Sequence, residues 1–408
     1  MANIPSPCRT TRRAASSCWK SPSGFRAEAA VSDELRPSER QAYAVAGVDV
    51  AAGERAVELM REAVESTRRP EVVGGIGGFA GAVAIPAGYR EPLIVSSTDG
   101  GGTKTAIAAA LRRWDTIGID LVAMCADDVV CSGAEPLAFL DYIAVGRLEP
   151  EAVAELVAGV AAGGREVGCA LVGGETAEHP GLMEAGTFDL AGTCLGVVER
   201  EDLLGGSGAG AGALIFGLPS SGLHANGYSL VRTVIEEYAI PLGRPYQEQL
   251  SLTLGDAGRD AALAAEPGLA MATVGDVLLT PTRIYAKRVL EVRGALRDAG
   301  FDLLGAAHVT GGGLPGNVPR ALPAELGARL DPLRWPMPSV MWLVGALAGI
   351  EERELRATFN GGIGMVLVVA PEAASALTAA APEAILIGEV ATVAELGGRY
   401  VEGRLVAE

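Results

Sequence analysis

The chain has 408 residues, which exceeds one ordinary domain and predicts two domains with room for substantial hydrophobic cores. Its formal net charge of −17 argues against a nucleic-acid partner, because phosphates would be repelled over most of the surface. With 49% apolar residues and 55 glycines, the composition indicates a compact α/β enzyme rather than a disordered or fibrous protein.

The cysteines and the apolar segments both predict a cytoplasmic protein. None of the six cysteines belongs to a Cys-x-x-Cys pair or has the spacing of a zinc site, so we interpret them as reduced thiols. No apolar run reaches the roughly 18 residues that a membrane span needs without including a charge. We therefore expect no membrane partner.

The chain is expected to begin with a segment that does not fold. Residues 1–27 contain arginine and serine but no acid, which superficially resembles a transit peptide. We prefer a disordered extension or a misassigned start, and expect the extension to include residues 1–38 and residues 1–27 to be dispensable. An N-terminal domain over residues 43–203 and a C-terminal α/β domain over 213–402 are predicted, joined by a glycine-rich linker.

A glycine loop in the first domain has the properties of a phosphate site. It follows a short, apolar, β-branched segment over residues 92–97, which predicts a buried strand that ends at Asp99. The three glycines at 100–102 let backbone amides approach an anion, and a helix over 103–114 would direct its positive end and Lys104 to the same place. A carboxylate beside an anion requires a cation, most plausibly Mg²⁺.

Further carboxylates follow the loop. Asp120, Asp127 and Asp128 interrupt an apolar helix, and the first two share a face because they are seven residues apart. Glu175 follows a short buried strand over residues 169–172 and two glycines, so it is a second candidate cation ligand. The alternatives are a solvated helix end for the three aspartates and a helix cap or loop acid for Glu175.

The second domain contains two more candidate loops. The first lies between a strand over residues 213–217 and a helix, and it carries two hydroxyls, an imidazole and an amide: Ser220, Ser221, His224 and Asn226. A catalytic histidine and a structural one are about equally expected here. The second loop, over residues 310–313, follows a strand and is rich in glycine, which predicts another phosphate site.

The remaining pattern alternates helices and strands. An amphipathic helix is expected over residues 53–67. We also expect helices over 150–163 and 281–296, and strands over 139–145, 189–198, 363–369 and 385–390.

Ordered motifs between residues 43 and 401 resemble the phosphoribosylformylglycinamidine cyclo-ligase family, also called aminoimidazole ribonucleotide synthetases. The matches include Asp99-Gly100-x-Gly102-Thr103-Lys104, Gly173-Gly174-Glu175-Thr176, Ser220-Ser221-Gly222-Leu223-His224 and Thr310-Gly311-Gly312-Gly313. The resemblance implies ATP-dependent closure of the imidazole ring of formylglycinamidine ribonucleotide, in de novo purine synthesis, through an imidoyl phosphate. It also implies a mixed α/β (α+β) fold of two domains, an active site between them, and a homodimer whose N-terminal domains pair into a β-barrel.

The resemblance also implies roles for individual residues. Asp99, Asp128 and Glu175 would hold Mg²⁺, with K⁺ as an optional further cation, and His224, Lys104 and Arg61 would act in catalysis. ATP would be bound by Asp99, Gly100, Gly102, Thr103, Asp128, Glu175, Ser220, Ser221, Asn226, Gly311, Gly312 and Gly313. Four positions depart from the commoner family form, and one of them is Ser97, where glycine is frequent. Gly101 replaces a valine and should loosen the loop, Asp127 replaces an asparagine, and Arg61 replaces a lysine.

Two rival hypotheses differ from this interpretation. One is another ATP-using enzyme of the superfamily, such as a selenophosphate synthetase or a thiamine-monophosphate kinase. The former typically carries a reactive cysteine near an N-terminal glycine loop, whereas no cysteine lies between Cys18 and Cys125. The other rival is a catalytically silent dimeric binding protein, against which the retained Asp99, Glu175 and His224 argue.

Overall fold

The computed structural model of the chain describes residues 47–75 and 78–405. The predicted disordered extension at residues 1–38 lies outside the described residues. No helix in the described ranges is both long and apolar enough to cross a lipid bilayer.

The first half of the chain forms a four-stranded sheet covered by helices. The strand order is β3-β6-β4-β5, and only the β4–β5 pair is parallel. A small antiparallel hairpin, β1–β2, precedes it. The elements are α1 (Val50–Glu65), β1 (Val72–Val73), β2 (Ala82–Val83), β3 (Pro92–Gly100), α2 (Lys104–Leu111), α3 (Ile117–Cys131), β4 (Glu135–Val145), α4 (Pro150–Val167), β5 (Ala170–Glu178) and β6 (Phe188–Glu199).

Helix α3 lies at the centre of the first half. It contacts β3, β4 and β6 on one side and α4 on another, so nearly all of its side chains are buried. Glycines allow the close approach of the two helices, because a Cβ at Gly118 would overlap the backbone of Val160, and a Cβ at Gly159 would lie 2.6 Å from the carbonyl oxygen of Asp115. This packing fixes the direction in which the aspartates of α3 point.

The second half forms a six-stranded sheet in the order β12-β9-β11-β7-β10-β8, in which only β12 and β9 are parallel. Its strands are β7 (Leu214–Pro219), β8 (Gly305–His308), β9 (Leu326–Leu330), β10 (Ile363–Val369), β11 (Ile385–Thr392) and β12 (Tyr400–Glu402). Its helices are α5 (Tyr228–Glu237), α6 (Tyr246–Ala265), α7 (Val274–Leu278), α8 (Ala286–Asp298), α9 (Gly313–Asn317), α10 (Ser339–Ala348), α11 (Glu352–Thr358), α12 (Ala374–Ala380) and α13 (Val393–Leu396).

Strand β10 shows why its sequence is apolar at every position. All seven residues are buried, and successive residues point to opposite faces of the sheet. Met365, Leu367 and Val369 belong to the large core, whereas Val366 and Val368 belong to a second, smaller core on the other face. The large core includes residues from both halves of the chain, so the two sheets are packed as one body.

Most predicted elements are observed, with four corrections. The helix expected over residues 281–296 begins only at Ala286. Strand β3 is not buried: its residues are exposed or partly exposed, and Ile94 is 58% exposed. Strand β5 does not end before the two glycines but continues through them, so Glu175 lies inside a strand, paired with Tyr142. The helix expected over residues 103–114 is shorter and ends at Leu111, because Arg112 adopts a left-handed conformation with φ 51°.

Candidate active site

The glycine loop after β3 is held firmly at its centre. Asp99 is exposed, and its Oδ1 accepts a hydrogen bond of 2.7 Å from the backbone N–H of Gly100. Gly101 is buried and donates to the carbonyl oxygen of Leu190 at 2.8 Å, and a Cβ at this position would overlap the Leu190 side chain. The packing therefore does not support the expectation that Gly101 loosens the loop. Gly102 has φ 59°, which favours glycine.

Lys104 lies beneath this loop rather than at its surface. Its ammonium is fully buried, donates to Asp120 Oδ1 at 3.0 Å and forms an ion pair with Asp120 Oδ2 at 2.8 Å. It also donates to the carbonyl oxygens of His224 and Thr280 at 3.1 and 2.7 Å. Burial lowers the pKa of Lys104, and Asp120 opposes that shift. In this position the ammonium joins the two halves of the chain and presents no surface to a phosphate, so the sequence-based role at ATP is not the role that the geometry favours.

His224 adopts a strained backbone conformation between β7 and α5. Its φ is 61°, its ring is buried, and its Nε2 accepts a hydrogen bond of 3.2 Å from the backbone N–H of Ser221. Burial holds the pKa of His224 well below its ordinary value, so the ring is neutral at pH 7. Because Nε2 accepts, Nδ1 carries the proton, and this buried N–H has no partner among the described residues.

The serines and the asparagine near His224 differ in what they contact. Ser221 fixes the segment before α8, since its Oγ donates to the carbonyl oxygen of Pro281 at 2.7 Å and accepts from the backbone N–H of Arg283 at 3.1 Å. The buried Oγ of Ser220 has no hydrogen-bond partner in the described chain. Asn226 directs its amide nitrogen towards the sulfur of Met124 at 3.5 Å.

Three loops predicted separately from the sequence meet in the structure. A Cβ at Gly102 would lie 3.6 Å from the carbonyl oxygen of Ala225, and Thr103 Oγ1 is 3.3 Å from Ser229 Oγ. A Cβ at Gly311 would lie 3.7 Å from Asn226 Oδ1. The loops that contain residues 100–103, 220–227 and 310–313 therefore surround one place between the two sheets. Gly312 and Gly313 complete the third loop with φ 86° and 57°.

Asp128 belongs to a polar cluster that the sequence did not reveal. Its carboxylate is 3.1 Å from Nδ1 of His308 and accepts from Ser97 Oγ at 3.4 Å. Ser97 and Asp99 lie two residues apart on the same face of β3, so the carboxylates of Asp99 and Asp128 are neighbours. One or two carboxylates beside phosphate oxygens suit Mg²⁺, and this pair fits that requirement. No group of three or more metal-ligating side chains occurs within residues 47–75 and 78–405.

Asp127 points away from this cluster, into the protein. Its Oδ1 accepts a hydrogen bond of 2.8 Å from the backbone N–H of Tyr285 at the start of α8, and its Oδ2 lies 4.0 Å from Nε2 of His308. Burial raises the pKa of Asp127 to about 7. Asp127, which replaces the asparagine of the commoner family form, therefore caps helix α8 and joins the two halves of the chain. This geometry does not favour a role as a further ligand for a cation.

Glu175 and Asp99 are far apart within one chain. The pairing registers align Asp99, Gly192, Asp141 and Gly174 in one row across the sheet, and Glu175 is one residue beyond that row. Three strand spacings separate β3 from β5, which is about 14 Å. Successive residues also point to opposite faces, so Asp99 and Glu175 cannot hold one cation within a single chain.

Arg61 lies on α1, which packs against α4 and β5. Its side chain is exposed, and in the described ranges it takes part in no hydrogen bond or ion pair. The structure therefore places Arg61 on a helix near the β5 edge of the sheet, whereas the loop that begins at Asp99 follows the opposite edge strand, β3.

Sequence reasoning missed three residues next to these loops. His308 is the last residue of β8 and lies two residues before the third glycine loop, whereas Asp99 lies directly before the first. Asn317 and Arg320 gave no signal, because neither belongs to a recognisable motif. Asn317 is buried and donates to the carbonyl oxygens of Thr310, Gly311 and Gly313 at 3.3, 3.2 and 2.9 Å, so it determines the shape of the third loop.

Comparison with known proteins identifies the family. The model of the AIR synthase related protein, N-terminal domain, matches residues 80–198, and that of the corresponding C-terminal domain matches residues 210–401. The phosphoribosylformylglycinamidine cyclo-ligase of Gloeobacter violaceus is 50% identical over 337 residues, covering 83% of this chain and 92% of that protein. The chain belongs to the phosphoribosylformylglycinamidine cyclo-ligase family. Its namesake in Geobacillus kaustophilus is 48% identical over 357 residues, covering 86% of this chain and 96% of the relative.

Solved structures confirm the two-domain mixed α/β fold of this cyclo-ligase family member. The hydrogenase maturation protein HypE in complex with ATP has a TM-score of 0.56, with 18% identity over 86% of this chain and 91% of that one. A thiamine-monophosphate kinase from Stenotrophomonas maltophilia has a TM-score of 0.54, with 18% identity over 85% of this chain and 95% of that one. At such identities the likeness shows the fold alone.

Proposed function

We propose that this chain catalyses the ATP-dependent cyclisation of formylglycinamidine ribonucleotide to 5-aminoimidazole ribonucleotide, releasing ADP and phosphate. The observation that supports this function most is the similarity to known cyclo-ligases. About half of the aligned residues are identical, and the alignment covers nearly the full length of those relatives. The meeting of the three glycine-containing loops beside Asp99 and Asp128 agrees with a reaction that transfers a phosphoryl group. We propose that residues 43–203 and 213–402 form the two domains and that the site lies between them.

In this proposal, ATP activates the formyl oxygen by phosphorylation, which converts it into a leaving group. Phosphoryl transfer depends mainly on positioning and electrostatic stabilisation. Asp99 and Asp128 would hold Mg²⁺, which neutralises phosphate charge when bound. The backbone amides of Gly102, Gly311 and Gly312 would bind phosphate oxygens, together with Thr103, Ser220 and Asn226. The amides of Gly100 and Gly313 already donate to Asp99 and Thr310.

Neutral His224 has two possible uses in this reaction, proton transfer or substrate contact. Its unpartnered Nδ1–H is a hydrogen-bond donor, so a small movement of the loop would let it donate to the formyl or amidine group. The buried Lys104, which bonds to the His224 carbonyl, would position the loop rather than contact ATP.

We further propose a homodimer in which the four-stranded sheets pair edge to edge. The edge strands β3 and β5 leave backbone groups unpaired, and unpaired edges invite association. Two such sheets would close into an eight-stranded barrel, which removes all four edges. Edge pairing of β3 with β5 of the partner subunit would place the strand that carries Asp99 beside the strand that carries Glu175 of the partner subunit, which a single chain does not do.

The test is product formation. Purified protein, ATP, Mg²⁺ and formylglycinamidine ribonucleotide should release ADP only when the ribonucleotide is present, and mass spectrometry should detect a product lighter by one water molecule. Thiamine monophosphate is the control substrate. ADP release without ring closure, or release that needs no ribonucleotide, would contradict the proposal.

A further inference from the structure

A cavity of about 400 Å³ lies between the two halves of the chain. Its walls come from β3, the end of α3, the linker after β6, strand β8 and the short turn after α9. Polar and charged side chains line it: Ser96, Ser97, Asp128, Ser132, His308, Asn317 and Arg320. Pockets for small ligands commonly have volumes of roughly 300 to 1,000 Å³, so the cavity suits part or all of a nucleotide-sized molecule.

Arg320 is the only cationic lysine or arginine side chain in this lining. Its guanidinium has a single hydrogen bond among the described residues, from Nη1 to Asn317 Oδ1 at 3.1 Å, and it forms no ion pair with a carboxylate there. Its remaining N–H groups are available to a ligand, and a planar guanidinium matches a phosphate in a bidentate manner.

The position of Arg320 is fixed independently of its own side chain. Arg399 donates to the carbonyl oxygens of Leu322 and Pro323 at 2.8 and 3.1 Å, which holds the turn that carries Arg320. Asn317 joins Arg320 to the third glycine loop, because its amide oxygen accepts from Arg320 and its nitrogen donates to the loop carbonyls. Substitution of Arg320 should therefore leave the fold intact.

The two charged side chains of the cavity differ in what they attract. Asp128 lies beside Ser97 and His308, where the proposed Mg²⁺ and ATP phosphates would be. Arg320 lies on the turn after α9 and offers a position for an anion. A ligand with one phosphate, and with a neutral polar end directed at Asp128, matches this arrangement.

We propose that Arg320 binds the 5′-phosphate of the ribonucleotide substrate in this cavity, with Asn317 as the residue that positions its guanidinium; this assignment rests on the proposed cyclisation. The shared chemistry is a phosphate monoester, and the rival source is a phosphate of ATP. The phosphate of the substrate takes no part in the ring closure, so its contact contributes to binding and orientation rather than to the chemical step.

The experiment compares Arg320→Gln with Arg320→Lys and with the control Arg232→Gln, an exposed arginine on α5 paired with Glu236. For Arg320→Gln we expect the KM for formylglycinamidine ribonucleotide to rise about 10- to 100-fold, with the KM for ATP and kcat within a few-fold of wild type. Arg320→Lys should recover part of the loss, and Arg232→Gln should match wild type. A rise in the KM for ATP alone, or no change in either KM, would overturn the assignment.

A second arm measures binding without turnover, by calorimetry with ribose 5-phosphate and with ribose as probes. Wild type should bind the phosphate ester more tightly than the free sugar, and Arg320→Gln should lose that preference. Equal binding of both probes by wild type would reject a phosphate site in the cavity. Because this arm needs no catalysis, it separates failure of the phosphate assignment from failure of the proposed cyclisation.

Discussion

The ammonium of Lys104 illustrates how burial changes the role of a residue that belongs to a phosphate-loop motif. Replacement by Met would leave Asp120 charged, buried and with only Thr282 as a partner. Breaking a buried pair in this way costs roughly 3 to 5 kcal/mol. Urea unfolding of Lys104→Met should show that loss.

The double variant Lys104→Met, Asp120→Leu serves as the matched control. Removing both charges should recover part of the stability, because an apolar pair of similar volume avoids the desolvation cost. If Lys104→Met instead unfolds like wild type and only its affinity for ATP falls, the ammonium contacts nucleotide and the structural role is wrong.

Asp141 offers a residue-scale test of pH dependence. Burial raises its pKa to about 7, against an ordinary value near 3.8, and its Oδ2 has no hydrogen-bond partner in the described chain. Because the folded pKa is raised, the stability that this group contributes is present below about pH 4 and is lost as pH rises to 7. Asp141→Asn should remove this dependence and raise the free energy of unfolding at pH 8 by about 1 to 4 kcal/mol.

The comparison for Asp141 is Asp298→Asn, which changes an exposed carboxylate at the end of α8. Urea midpoints from pH 5 to 8 should diverge between wild type and Asp141→Asn as pH rises, and should run parallel for Asp298→Asn. Parallel curves for both variants would show that Asp141 is ionised and stabilised by a partner.

Among the secondary-structure elements, the contact between α3 and α4 depends on glycine. Gly159→Ala would place a methyl group against the Asp115 carbonyl, and overpacking of this kind costs about 1 to 3 kcal/mol. Gly53→Ala on α1 is the control, because no atom lies within 4 Å of its would-be Cβ, and it should stabilise by about 0.5 to 1 kcal/mol. Opposite signs of the two changes in melting temperature are expected. Destabilisation of both would mean that the helices shift elsewhere.

Strand β3 is the element whose exposed residues predict the association of two chains. Ile94→Asp places a charge on an edge strand that the proposed dimer would cover, so sedimentation at micromolar concentration should change from about twice the monomer mass towards the monomer. Leu252→Asp alters a residue of similar exposure, 66%, on α6 and should leave the mass unchanged. A wild-type chain that sediments as a fully active monomer would reject the dimer.

Local pattern was enough to predict most elements but not their partners. Strand β10 was predicted at its observed bounds, because seven consecutive apolar residues between loops are compatible with few structures other than a buried strand. The end of β5 was misjudged, since Gly173 and Gly174 suggested a turn. Gly174 is instead required by packing, because a Cβ there would overlap the Asp141 carboxylate on β4. That reason is a contact across strands, which no local pattern contains.

The same limit applies to the candidate site. Asp99 and the three loops were predicted from the sequence because strands are followed by polar residues and glycines along the chain, and Asp128 because it interrupts an apolar helix. The acceptors of Lys104 come from residues 120, 224 and 280, and the residues that line the cavity beside Arg320 come from both halves of the chain. Such contacts depend on how the halves pack, so the sequence predicted a lysine directed at a phosphate where the structure has a buried one.

For the whole molecule, the question is whether one active site needs two chains. Asp99→Asn and Glu175→Gln, each alone, should be nearly inactive, because each removes a charge that the proposed cation needs. If Asp99 works with Glu175 of the partner subunit, mixed dimers of the two variants regain one intact site of two. An equal mixture should then recover about a quarter of wild-type activity.

The measurement is ADP release from the two variants co-expressed with different tags, compared with each variant alone. The control for tagging is Asp99→Asn co-expressed in two copies, each of which carries one of the two tags. Mixed dimers as inactive as the parents would show that Glu175 does not complete the site of the other chain.

The contacts of α3 with the second half of the chain also affect how the protein folds during its synthesis. Asp120 accepts from Thr282, 162 positions later, and Asp127 accepts from Tyr285, 158 positions later. At a synthesis rate of about 5 to 20 residues per second, these partners leave the ribosome roughly 10 to 30 seconds after the aspartates do. During that interval the nascent first domain must keep two acidic groups hydrated on a helix that the finished protein buries. Translation speed over the second half should therefore influence how much of this protein reaches its native state.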